Sequence, residues 1–205
     1  KSTIINLLNR FYEISGGTIC VDGRNIDEYT LESLRRQIAI VLQDVFLFAD
    51  TIMNNITLYD PAITPDHVIA AAKAIGVHDF ISSLPGGYEY NVKERGVMLS
   101  SGQRQLIAFL RAYVSNPGIL VLDEATSSID TYSEELIQKA TERITEGRTS
   151  IVIAHRLATI VNADKIIVMD KGLIVESGTH YELINRAEGY YKNLYYSQFA
   201  VESEG

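Results

Sequence analysis

A chain of 205 residues with 46% hydrophobic content and a formal net charge of −8 has the make-up of an ordinary globular protein, long enough for one well-buried domain. The acidic balance excludes a nonspecific nucleic-acid binder, which needs a basic face to neutralise phosphates. One cysteine, Cys20, excludes a disulfide framework, and no apolar run approaches the roughly 20 residues of a membrane span, so the chain itself is expected to be soluble.

Lys1-Ser2-Thr3 runs directly into an apolar helical pattern at Ile4, Ile5, Leu7, Leu8 and Phe11. With no initiator Met ahead of it, this opening predicts a piece of a longer protein. The P-loop pattern G-x-x-x-x-G-K-[ST] is present only as its final Lys-Ser, which by itself is a weak signal. Gly16-Gly17 then opens a short predicted strand, Thr18 to Val21, in which Cys20 reads as a small buried apolar residue of a reducing compartment, and Asp22-Gly23 turns the chain. Leu31, Leu34 and Arg35 begin a short helix that feeds an apolar strand, Ile38 to Leu42, ending at Gln43.

From about 44 to 117 the pattern is mostly helical and reads as a helical subdomain inserted in an α/β core. Thr64-Pro65-Asp66 starts a helix with Pro in its first turn, Val68, Ile69 and Ala72 form its apolar stripe, and Gly76 ends it. Pro85-Gly86-Gly87 is a turn, and residues 102–115 form a helix capped by Ser100 or Ser101. The α/β pattern resumes with the apolar run Ile119 to Leu122, which stops at Asp123 and Glu124. A helix from about Tyr132 to Thr145 follows, with a capping-box pattern at Thr131 and Glu134, and then the strand Ser150 to Ala154 ends at His155. Ile166 to Met169 and Leu173 to Glu176 flank Lys171-Gly172 as a hairpin, Thr179-x-x-Glu182 starts a late helix, and Tyr190, Tyr191, Tyr195 and Tyr196 sit in an amphipathic surface helix as packing residues.

Three apolar runs that each end in polar side chains carry the functional signal. If the strands are parallel neighbours, Gln43, Asp123, Glu124 and His155 converge on the carboxyl edge of one sheet, where open α/β sheets bind ligands. An amide, an acid pair and an imidazole suit phosphate and metal. Taken singly, each residue has a plainer reading: the acids as a solvated face, His155 as a satisfied core histidine, Asp130 as a helix cap.

In combination these motifs resemble the nucleotide-binding domain of ATP-binding cassette (ABC) transporters over essentially the whole chain. Leu99-Ser100-Ser101-Gly102-Gln103 is similar to the signature sequence, Ile119 to Glu124 to the Walker B strand, Ser128-Ile129-Asp130 to the D-loop, Gln43 to the Q-loop and His155 to the switch histidine; Lys1-Ser2-Thr3 then matches the end of Walker A. Leu34 to Phe48, Thr51 to Ile56 and Glu94-Arg95-Gly96 further resemble exporters in which a membrane domain precedes the cassette on one polypeptide.

The resemblance implies a P-loop NTPase-type α/β fold: a parallel sheet core, an inserted helical subdomain and a small antiparallel portion, all in one ATPase domain over residues 1–205. It implies ATP and Mg²⁺ as ligands. Lys1 is expected to neutralise the β- and γ-phosphates, Ser2 to ligate Mg²⁺, Thr3 to contact the α-phosphate, and Asp123 to hold Mg²⁺ through its water shell. Glu124 is expected to act as general base, Gln43 to sense metal and γ-phosphate and couple them to the helical insertion, and His155 to bond the γ-phosphate and orient Glu124. Ser100, Ser101, Gly102 and Gln103, at a helix start, together with Asp130 are expected at the nucleotide held by a second, head-to-tail nucleotide-binding domain. The expected setting is the cytoplasmic face of the cell membrane, bound to a transmembrane domain and powering export, with no nucleic-acid partner. A cassette of a soluble non-transport protein and a non-catalytic interaction fragment are the alternatives. Two departures stand out: Ser101 occupies a position where the usual signature has Gly, and Tyr90-Asn91-Val92-Lys93 differs from the family's usual residues there.

Overall fold

The computed structural model describes residues 2–123, 131–153 and 157–202. The chain divides into two compact units, residues 1–153 and 154–205.

The first unit opens with α1 (Ser2–Leu8), followed by a small antiparallel pair, β1 (Cys20–Val21) and β2 (Arg24–Asn25), joined through Asp22-Gly23 with φ of +50° and +76°. Next come α2 (Leu31–Arg36), capped by the Thr30 side chain, and β3 (Ile38–Val41). Helices α3 (Ile52–Thr57), α4 (Pro65–Ala74), α5 (His78–Ser83) and α6 (Ser101–Val114) fill the segment before β4 (Ile119–Asp123), and α7 (Thr131–Thr145) connects β4 to β5 (Thr149–Ile153). The stretch between β3 and β4 is therefore helical, as its sequence predicts. Thr64 caps α4, Pro65 sits in its first turn, and Gly76, just past its end, adopts φ +78°.

β3, β4 and β5 form one parallel sheet in that order. Alternate residues serve opposite faces, as the pleat requires. Ile38 and Val121 face a cluster with Ile5 of α1, Ile26 and Leu34, while Val41, Leu120 and Leu122 join the larger cluster built by α6, α7 and the helices before them. Both faces of β3 and β4 are covered, and that is why these two strands read as continuous apolar runs instead of alternating ones. This α/β fold is the expected one.

Cys20 corrects the sequence expectation, because it is exposed. Ile19 and Val21 are the residues of this run that pack against the Ile5–Ile26 cluster, and the strand's period of two turns Cys20 outward.

The second unit contains α8 (Leu157–Val161), the hairpin β6 (Ile166–Asp170) and β7 (Leu173–Gly178), α9 (His180–Ile184) and α10 (Tyr190–Glu202). Lys171 and Gly172 both take positive φ, +46° and +84°, the conformation a two-residue hairpin needs to follow the strand twist. Its core gathers Ile166, Val168, Leu183 and Tyr191. Of the expected packing tyrosines, Tyr191 is buried and Tyr195 packs against it, whereas Tyr190 and Tyr196 are exposed. Burial, then the neighbouring Tyr195, raise the Tyr191 pKa. Among the described residues no helix is long and apolar enough to cross a membrane.

Two outcomes follow from this packing. Leu110, fully enclosed on α6, leaves a cavity when truncated, so Leu110→Ala lowers stability in urea unfolding by about 2–5 kcal/mol. In the α9 capping box, hydrogen bonds from the Thr179 backbone N–H and side chain hold the Glu182 carboxyl below its ordinary pKa. A lowered folded-state pKa contributes stability above the unfolded value and loses it as pH falls through the folded value. The thermal-midpoint gap between wild type and Glu182→Gln is therefore present at pH 7 and closes through the acidic carboxylate range.

Candidate functional site at the carboxyl edge of the sheet

Parallel pairing sends β3, β4 and β5 out of the sheet on the same side. Val41 stands opposite Leu122, which stands opposite Val152, and Asp123 pairs with Ile153 at the end of the ladder. Asp123 closes β4 half-buried, and Gln43 lies exposed in the bend just beyond β3. A carboxylate and an amide oxygen are thus delivered to one edge, and both are hard donors of the kind Mg²⁺ accepts. Among the described residues no group of three or more His, Cys, Asp or Glu could hold a metal ion. Ser2 and Thr3 begin α1, with Thr3 exposed, and Ile5 of the same helix seats it against Ile38 and Val121 of the sheet. Lys1, Glu124, Asp130 and His155 lie outside the described residues.

The second predicted element is the start of α6. Ser100, and not Ser101, is its cap: the Gln103 backbone N–H donates to Ser100 Oγ at 3.2 Å, and the Ser100 backbone N–H donates to Gln103 Oε1 at 3.0 Å. Both side chains are thereby committed to the helix end, with Ser101 exposed and Gly102 buried beside them. The first turn of a helix presents N–H groups and the positive end of the helix dipole, an arrangement that favours an anion.

Gln43 and Ser101, distant in sequence, line one open cleft of about 360 Å³ with Asp44, Arg95, Val97 and Arg104. Asp123 is not among its lining residues. Beside it Phe46 and Phe48 stand 56% and 54% exposed with their rings edge to face at 5.2 Å, and Val97 and Met98 are also exposed. Tyr90-Asn91-Val92-Lys93 is hydrogen-bonded to the segment at 50–52: the Val92 N–H donates to the Asp50 carbonyl and the Ile52 N–H to the Tyr90 carbonyl, each at 3.0 Å.

Two residues of this region went unread in the sequence. Arg104 donates from Nη1 to the Leu99 carbonyl at 2.7 Å, and Arg111, further along α6, donates from Nε to the Asn55 carbonyl at 2.7 Å. The first contact is local and the second joins residues 56 apart in the chain, and neither leaves a periodic pattern.

The loop before α6 is strained. Lys93, Arg95 and Gly96 take φ of +60°, +55° and +67°, and a Cβ on Gly96 would lie 2.9 Å from Leu47 Cδ1 and 3.1 Å from Arg104 Cδ. Gly96→Ala therefore costs about 1–3 kcal/mol in denaturant unfolding. A loss below that range would show that the loop relaxes freely around the added methyl.

Known proteins converge on one family. The ABC transporter family's sequence profile matches residues 1–127. The Staphylococcus aureus protein of strain NCTC 8325 / PS 47 named "Putative multidrug export ATP-binding/permease protein" is 50% identical over 195 residues, 95% of this chain and 34% of its own length. Its namesake in the bovine strain RF122 / ET3-1 shows the same identity and coverage. A bacterial Atm1-family ABC exporter solved with ATP bound superposes with a TM-score of 0.87 at 44% identity, covering 97% of this chain and 34% of that one. The chain spans about a third of the length of the curated relatives it matches. The chain belongs to the ABC transporter family.

Proposed function

We propose that this chain is the ATP-hydrolysing motor of an exporter, working at the cytoplasmic face of the cell membrane, with Mg²⁺ and ATP held at the carboxyl edge of the sheet. The observation that carries the reading is the shared edge: Gln43 and Asp123 leave adjacent parallel strands on the side where α/β proteins bind nucleotides. Lys1, Ser2 and Thr3 are assigned to the phosphates and metal by resemblance, and Glu124 and His155 follow directly on β4 and on the β5 run in sequence.

Bound Mg²⁺ would neutralise charge on the β- and γ-phosphates. The chain's own residues do the rest. Asp123 and Gln43 present oxygens toward that cation, and Lys1 adds a positive charge at the phosphates. The Glu124 carboxylate takes a proton from the attacking water as its oxygen bonds to the γ-phosphorus. The bond to the β,γ-bridging oxygen breaks, ADP leaves with the bond's electron pair, and inorganic phosphate forms. His155 holds the γ-phosphate and orients Glu124.

The start of α6, with Ser100, Ser101, Gly102 and Gln103, together with Asp130, closes on nucleotide held by a second nucleotide-binding domain, and two-fold pairing makes two such sites from one surface. The relatives named as ATP-binding/permease proteins carry both functions on one polypeptide. The exposed Phe46, Phe48, Val97 and Met98 beside the Gln43 cleft are the apolar surface proposed to receive the membrane domain.

Glu124→Gln in the full-length protein that carries this chain tests the reading. ATP still binds, while Mg²⁺-dependent hydrolysis falls by about 10²- to 10⁴-fold, the usual worth of a general base. Hydrolysis persisting at the wild-type rate would remove Glu124 from the mechanism, and a wild-type protein that binds ATP without hydrolysing it would make the cassette a regulatory module.

A further inference from the structure

The helix that starts at the signature also grips the loop that leaves Gln43, and the grip is a half-buried arginine. Arg111 Nε donates to the Asn55 carbonyl at 2.7 Å, Nη2 to Asn55 Oδ1 at 3.4 Å and Nη1 to the Phe46 carbonyl at 3.5 Å. Asn55 is 0% exposed. Its Nδ2 donates to the carbonyls of Phe48 and Thr51, both at 3.0 Å, and its Oδ1 accepts from the Phe48 N–H at 2.8 Å. Residues 46–51 are thus hydrogen-bonded through Asn55 to a guanidinium on α6.

This is a costly way to fix a loop. Burial lowers the Arg111 pKa, and among the described residues the guanidinium has no carboxylate partner, only amide and carbonyl oxygens. An apolar side chain of similar size would avoid the desolvation penalty. What it could not supply is the planar fork of donors that sets distance and angle between two segments 56 residues apart in sequence.

The geometry of α6 gives the fork its consequence. Arg111 lies ten residues beyond Ser101, about 15 Å along one uninterrupted helix. Arg104, two turns before Arg111 on the same side of the helix, holds the Leu99 carbonyl and packs against Gly96 on the other wall of the cleft. A displacement at the helix start therefore reaches both loops as movement of one rigid piece.

We infer that Arg111 is a positioning residue that couples the signature end of α6 to the Phe46–Asn55 segment following Gln43, so that closure on nucleotide at one end shifts the aromatic surface at the other. The coupling rests on the motor reading above, in which the start of α6 contacts ATP and the Phe46–Phe48 surface meets the membrane domain.

Hydrogen exchange on the full-length protein, with and without ATP and Mg²⁺, tests it. In wild type ATP slows exchange in both segments, 99–103 and 46–55. In Arg111→Lys, which keeps the charge and loses the fork, the 99–103 segment still responds while the ATP-dependent slowing at 46–55 falls by about fivefold or more, the lower range of ordinary site-to-site coupling. A merely structural role predicts something else, a faster exchange at 46–55 that is equal with and without ATP and leaves the ratio unchanged; that outcome, or wild-type behaviour of the variant, overturns the coupling. Wild type alone also decides: a response at 99–103 with none at 46–55 overturns the coupling and spares the motor reading. No response at either segment overturns both.

Discussion

Parallel pairing of β3, β4 and β5 in one register is the constraint from which the rest of the first unit follows. Parallel strands cannot be joined by tight turns, so each connection must cross over, and here the crossovers carry the helices between β3 and β4 and α7 between β4 and β5. The same pairing exposes both faces of the sheet to burial, which α1 and α2 meet on one side and α6 and α7 on the other. It also gathers the residues that follow each strand on a single edge. Asp123 and the Gln43 bend are consequences of strand direction before they are consequences of any ligand.

Within that frame α6 serves three surfaces at once. Its inward face supplies Leu106, Ile107 and Leu110 to the main core. Its first turn is closed by the Ser100–Gln103 capping box, and its outward side carries Arg104 and Arg111 to the loops lining the cleft. A helix seated this deeply resists bending, so the groups at its two ends are held at a fixed separation. The positive-φ residues Lys93, Arg95 and Gly96 occur in the loop feeding it, and at Gly96 the backbone passes between Leu47 and Arg104 without room for a side chain.

The extent to which the sequence foretold this structure depended on the range of the interaction. The strands at Ile38 and Ile119 were legible because burial on both faces gives unbroken apolar runs, the one at Ser150 because most of its residues are β-branched, and the caps at Thr64, Ser100 and Thr179 because capping depends on residues three apart. Whether Ser100 or Ser101 capped α6 is settled by Gln103, whose side chain reaches the Ser100 N–H. Cys20 was misread because a two-residue strand offers no alternation to orient it, and only the cluster around Ile26 decides that Ile19 and Val21 turn inward. The tyrosines of α10 share a type but not an environment: Tyr191 meets Leu183 and accepts or donates at His180 Nδ1, while Tyr190 faces outward. Arg111 and Asn55 were illegible for the opposite reason to the strands, since their contact is a single long-range meeting with no repeat in the chain.

The division of labour between apolar and polar contacts explains where stiffness and adjustment reside. Apolar burial is non-directional and roughly proportional to area, so it fixes that α6 lies on the sheet but constrains the outlying loops only weakly. The loops at 46–51 and 95–99 contribute few enclosed side chains, Leu47 and Leu99 among them, and Phe46, Phe48, Val97 and Met98 remain outside the core. What sets their position is directional: hydrogen bonds from Arg104 and Arg111 to named carbonyls, with Asn55 satisfying the Phe48 amide and carbonyl together. A buried amide that makes its full complement of bonds tolerates one geometry and penalises its neighbours, because any slip leaves a desolvated donor or acceptor unpaired. The cleft walls therefore follow the helix, not the sheet, and an aromatic surface that would otherwise drift on a loose loop is carried at a defined distance from the start of α6.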